Sequence, residues 1–108
     1  MILRVFEVQS KLGAAPTLIE KFATSSIEVV KDAPGNRGYF FGREIADDEG
    51  RVMFTSIWES LEAIKTRFGE TWTEAFLPDG YEDLIQSCHV RHIDISDGWR
   101  FEDATAKD

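Results

Sequence analysis

The chain predicts an α+β fold of the ferredoxin-like βαββαβ kind, a four-stranded antiparallel sheet with both helices on one face. Three observations carry this. Four short runs alternate apolar and other residues at strand period; two stretches repeat apolar residues at three- and four-residue spacing; glycine and proline punctuate the joins. At 108 residues, 43% hydrophobic and 12% aromatic, the chain has enough apolar material for one packed domain.

Ile2 to Gln9 reads as the first strand, with Ile2, Arg4, Phe6 and Val8 on one face and Leu3 and Val5 on the other. Gly13 and Pro16 mark a turn, with Pro16 in the first turn of a helix running to Lys31. Its predicted stripe is Ile19, Phe22, Ala23, Ile27 and Val30, and Pro34-Gly35 ends it. Arg37 to Ile45 is the second strand, residues 46–50 a polar connector, and Arg51 to Trp58 the third strand. Ser60 is placed to cap a helix through Leu61, Ile64 and Phe68, which Gly69 ends or kinks. Short helical pieces are expected over residues 71–77 and 81–87, with a turn at Pro78-Asp79-Gly80 between them. His89 to Ile95 is the last strand. The domain spans residues 1–97, and residues 98–108 read as a C-terminal arm or flexible tail.

Tyr39-Phe40-Phe41 places three rings on consecutive residues, so Tyr39 and Phe41 must serve one face of the sheet and Phe40 the other. In the third strand Val52, Phe54, Ser56 and Trp58 share a face, and Met53, Thr55 and Ile57 share the reverse. Two helices cover one face only. The apolar reverse face therefore calls for a partner, and a second copy of the chain, forming a homodimer, is the simplest.

A formal charge of −8 argues against nucleic acid, whose recognition relies on Lys and Arg at phosphates, and against acidic membrane surfaces. Cys88 is the single cysteine, so no disulfide can form within the chain. The apolar start of the chain is short and interrupted by Arg4 and Glu7, unlike a signal peptide or a membrane span, so a cytoplasmic protein is expected.

Pro34-Gly35, Gly38-Tyr39, Arg43-Glu44 and the run Ile57-Trp58-Glu59-Ser60 with Glu62-Ala63 together resemble the antibiotic biosynthesis monooxygenase-like domains of the dimeric α/β-barrel superfamily. The likeness in layout covers residues 1–95. It implies two sheets facing each other across a dimer, and a pocket in each subunit between sheet and helices. It also implies cofactor-independent monooxygenation of a small aromatic or quinol-type compound, with haem degradation a weaker relative. Where many members carry histidines beyond the junction tryptophan, this chain has Arg67 and Trp72; where haem degraders carry asparagine on the first strand, it has Glu7. A non-catalytic module of the same fold, binding a small ligand or assembling, is the alternative.

The residues themselves offer few chemical motifs. His89 and His92 lie three apart on a strand, point to opposite faces and cannot share an ion without a bulge, so no metal site is expected. There is no nucleophile elbow, Walker loop or dinucleotide glycine fingerprint, so no cofactor is expected. Tyr39, Arg67, Trp72 and His92 are the candidate substrate-binding residues. Tyr39 could bond a phenolic group, Arg67, read as a pair with Trp72, could lie over an aromatic ligand or beside its oxyanion, and His92 or His89 could project alone as an imidazole into a pocket. Tyr81 is a further phenol that could bond such a group, and for it and Tyr39 alike a buried tyrosine with a backbone partner is the plainer expectation. No residue is singled out as the general base.

Overall fold

A computed structural model describes residues 1–46 and 50–100. The expected polar connector therefore lies partly outside the described residues, and so does the expected arm beyond Arg100. The strands are β1 (Ile2–Ser10), β2 (Asn36–Arg43), β3 (Arg51–Trp58) and β4 (Ile85–Asp94). They form one antiparallel sheet in the order β2-β3-β1-β4. The first helix runs in three stretches: α1 (Ala15–Lys21), a π-helical turn (Phe22–Ser26) and α2 (Ile27–Val30). The second, α3 (Leu61–Phe68), packs on the same face.

The core lies between this face and the helices. Phe22 sits at its centre, edge-on to Phe6 and Phe54 at 6.1 and 5.7 Å between ring centroids. Trp58 is fully buried and donates from its indole N–H to Ser56 Oγ at 2.8 Å. The buried stripe of the first helix is Ala15, Leu18, Phe22, Ser26 and Val30. Ala23, expected on it, is exposed, because the π-helical turn rotates the residues after Phe22.

Tyr39 and Phe41 stack on Phe54 on the helix side, leaving Phe40 on the reverse side, as the alternation requires. Leu3, Val5, Met53, Ile57 and Ile93 share that side with it. On the two edge strands Phe40 and Ile93 are 43% and 41% exposed.

α3 begins as its sequence demands: Ser60 is extended, and its hydroxyl accepts from the Ala63 N–H at 3.2 Å. Gly69, at φ 73°, ends it. The helical piece expected over 71–77 does not form. A 3₁₀ turn (Gly69–Thr71) gives way to irregular chain, since the left-handed glycine redirects the backbone and Pro78 blocks a helix from the far side. The piece expected over 81–87 shrinks to a 3₁₀ turn (Glu82–Leu84), because β4 starts four residues earlier than expected and pairs Ile85 and Ser87 with Ser10 and Gln9. Sheet pairing overrode local propensity there. Similarly β2 is displaced to Asn36–Arg43 from the expected 37–45.

Candidate functional site

The antiparallel register lines up four residues across the helix side of the sheet: Tyr39, Ser56, Arg4 and His92. The row on one side, Phe41-Phe54-Phe6-Val90, is apolar throughout; the row on the other, Asn36-Trp58-Ile2-Asp94, is apolar at its centre and polar at both sheet edges. One polar row thus crosses an oily surface, and Arg4 stands at its middle.

Arg4 is 5% exposed. Its guanidinium donates to the Trp72 carbonyl and, at 3.0 Å, to the Glu74 carbonyl, and it lies 3.8 Å above the centroid of the Phe68 ring. Burial pulls its pKa down to about 10, so it stays charged near neutrality. On its other side Nη1 approaches His92 Nε2 at 3.0 Å. A guanidinium only donates, so that nitrogen must hold a lone pair and the imidazole proton sits on Nδ1. Burial, and then the Arg4 charge, hold the His92 pKa below its usual value. The imidazole is therefore neutral and packs edge-on to Trp72 at 4.9 Å between centroids.

Above this row lies a cavity of about 40 Å³, lined by Arg4, Ser56, Phe68, Phe76, Pro78 and Val90 among others. That volume holds a water molecule or so and is far below the several hundred cubic ångströms a drug-sized ligand occupies.

Of the four residues singled out from sequence, His92 and Trp72 meet at the site and Tyr39 closes the far end of its row, stacked on Phe54. Arg67 does not enter the row. It donates from Nε to the Val29 carbonyl at 2.6 Å, tying α3 to α2, with its guanidinium carbon 5.3 Å from the Phe68 centroid. Tyr81 is buried, its hydroxyl 2.6 Å from Ser26 Oγ and donating to the Lys21 carbonyl at 3.0 Å. Arg4 was missed, although a signal existed: it is the charged member of an otherwise apolar strand face.

The reverse side of the sheet carries a second concavity of about 590 Å³, lined by Val5, Glu7, Met53, Arg51, Ser87 and His89 among others. Glu7 is the hub of its charges, paired with Arg91 and 3.4 Å from His89. His89 and His92 thus project to opposite faces. Among the described residues, no helix is long and apolar enough to cross a membrane.

The fold is shared with solved structures. A Shewanella oneidensis protein is 23% identical with a TM-score of 0.67, over 85% of this chain and 87% of that one. A Deinococcus radiodurans protein classed as an antibiotic biosynthesis monooxygenase is 14% identical with a TM-score of 0.71, over 95% and 100%. A haem-degrading protein from Mycobacterium tuberculosis is 21% identical with a TM-score of 0.61, over 89% and 95%. At such identities these likenesses speak for fold alone. None of the curated proteins matches the chain. The sequence pattern of the antibiotic biosynthesis monooxygenases matches residues 1–76, and with the βαββαβ sheet and its paired motifs this makes the chain a member of that family.

Proposed function

We propose that the protein is a cofactor-independent monooxygenase acting on a small aromatic or quinol-type compound, within a homodimeric α/β barrel. The observation that carries this reading is the Arg4–His92 pair: a neutral imidazole with its lone pair directed at a buried cation, beside Trp72. In the dimer, the reverse faces with Phe40, Ile93 and the Glu7 concavity close on each other.

The pair supplies what such a reaction needs. As the guanidinium turns from His92 to the substrate oxygen, it frees the Nε2 lone pair, which takes the proton of an acidic CH₂ or phenolic O–H. The imidazolium so formed repels Arg4 and keeps the guanidinium on the substrate oxyanion. A CH₂ substrate anion passes one electron to dioxygen, and radical and superoxide recombine in a C–O bond. The peroxide takes the proton back from His92 and loses water, leaving a carbonyl. Overall CH₂ and O₂ become C=O and H₂O. Trp72 and Tyr39 would stack on and orient the ring; Arg67 acts indirectly, through Phe68 and the bond to Val29.

Haem does not fit this site. The chain has two histidines; Arg4 faces the ring nitrogen of one, and the other lies beside Glu7 on the opposite face. The test is oxygen uptake with a panel of anthrones and hydroquinones, with His92→Ala expected to lower kcat by about 100-fold or more. No uptake across the panel overturns the reading. The size of the 40 Å³ cavity favours a second one, a ligand-binding module without turnover, in which a thermal-shift screen finds stabilising compounds that are never consumed.

A further inference from the structure

Within the described residues, Arg4 is a buried cation without a counter-charge. Among the described residues it makes no ion pair; its partners are two backbone carbonyls, a neutral imidazole and the face of Phe68. A charge removed from water and met only by dipoles is costly to keep, and a carboxylate or phenolate would satisfy it far better. Both carbonyls belong to one irregular segment, residues 72–80, which roofs the cavity with Phe76 and Pro78. Among the described residues, the hydrogen bonds joining that segment to the sheet are the two that Arg4 donates. Its other backbone bonds are local, such as Glu74 N–H to the Thr71 carbonyl at 2.9 Å and Tyr81 N–H to the Pro78 carbonyl at 3.2 Å.

The segment hangs between fixed posts. Phe68 at the end of α3 packs edge-on to buried Trp58, and Tyr81 is anchored through its hydroxyl to Ser26 and Lys21. Next to each post stands a glycine in the left-handed region, Gly69 at φ 73° and Gly80 at φ 90°. Such positions can absorb a change of backbone direction. Between the posts no residue is fully buried: Phe76 is half exposed, and Trp72, Ala75 and Leu77 are only partly buried against the core, so lifting the segment uncovers less apolar surface than lifting a core element would.

We infer that residues 70–79 form a lid latched by Arg4, and that the site takes a planar oxyanion, an arene carboxylate or a phenolate, which displaces the Trp72 and Glu74 carbonyls from the guanidinium and so opens its own pocket. The inference rests on reading the Arg4–His92 row as the substrate site. It adds to that reading the charge of the ligand and the way a 40 Å³ cavity admits it.

The test is equilibrium binding, with no turnover required. Three probes are titrated calorimetrically into the wild-type protein: 2-naphthoate, 4-nitrophenolate at alkaline pH, and neutral 2-naphthalenemethanol. Amide hydrogen exchange is then followed with and without each. At least one of the two anions is expected to bind ten or more times tighter than the alcohol. Exchange should rise across residues 70–79 on binding, while β1 and β3 stay protected. Which anion binds separates a carboxylate site from a phenolate site. In the unliganded Arg4→Gln variant, exchange across 70–79 should rise without ligand, and anion preference should vanish. If that variant does not fold, the wild-type titrations decide alone. Equal binding of anion and alcohol, no binding by either anion, or anion binding that leaves exchange across 70–79 unchanged overturns the inference. Selective anion binding with an opened lid, in a protein that consumes no oxygen, upholds it while refuting the monooxygenase reading.

Discussion

Gly35 and Ala63 touch backbone to side chain: a β-carbon added at Gly35 would lie 2.5 Å from the Ala63 methyl. The Gly35 carbonyl also accepts the Glu59 N–H at 2.8 Å, clamping the turn before β2 against the junction of β3 and α3. The two segments that stood out in the sequence, Pro34-Gly35 and Glu59-Ser60 with Ala63, are therefore two halves of one contact.

Gly35→Ala combines this clash with a backbone at φ 86°. Overpacking and left-handed strain together should cost about 2–4 kcal/mol, read as a lower midpoint in urea with an unchanged slope.

Tyr81→Phe removes a buried hydroxyl shared by Ser26 and the Lys21 carbonyl. Leaving those groups without their partner should cost about 1–3 kcal/mol in chemical denaturation. Ser60→Ala, which loses a single solvent-side cap, should cost only about 1 kcal/mol.

His92 makes stability fall on acidification. Its pKa is lowered in the fold, so above the unfolded value it is neutral in both states and the fold keeps its full stability. As pH falls below that value, the unfolded chain takes up a proton that the folded imidazole, facing Arg4, still refuses, and stability is lost down to the folded pKa. Urea midpoints at about pH 7.5 and about pH 5.5 should differ more for the wild type than for His92→Gln.

Phe40→Glu sets a charge on an edge strand of the face assigned to the second subunit, in place of an exposed ring. Light scattering at micromolar concentration should show the wild type at twice its chain mass and this variant at one. Leu12→Glu, on a fully exposed loop residue, should leave the wild-type mass unchanged.

Much of the fold was legible because local and global signals agreed. β3 runs from Arg51 to Trp58 as its alternation indicates, and Ser60 and Gly69 bound α3 as their chemistry requires. Where they disagreed, pairing won: Ile85 to Ser87 lie beside β1, a long-range choice that no local window contains. The site was half legible. His92 and Trp72 were readable as unusual residue types, yet their meeting depends on an irregular segment folding back over the sheet. Arg4 was visible on an apolar face, but its neighbours come from residues about seventy positions away.

The π-helical turn has a consequence for chain length. Leu18, Phe22, Ser26 and Val30 are buried at a strict interval of four, and on an ordinary helix each such step would slip about 40° around the axis. The wider turn at Phe22–Ser26 absorbs part of that slippage and keeps Ser26 under the Tyr81 hydroxyl. Excising Thr24 alone, an exposed residue whose hydroxyl donates to the Glu20 carbonyl of its own helix, should spare the helical circular dichroism and yet lower the melting temperature, because Ser26 would then stand three residues after Phe22, about 60° short of a full turn.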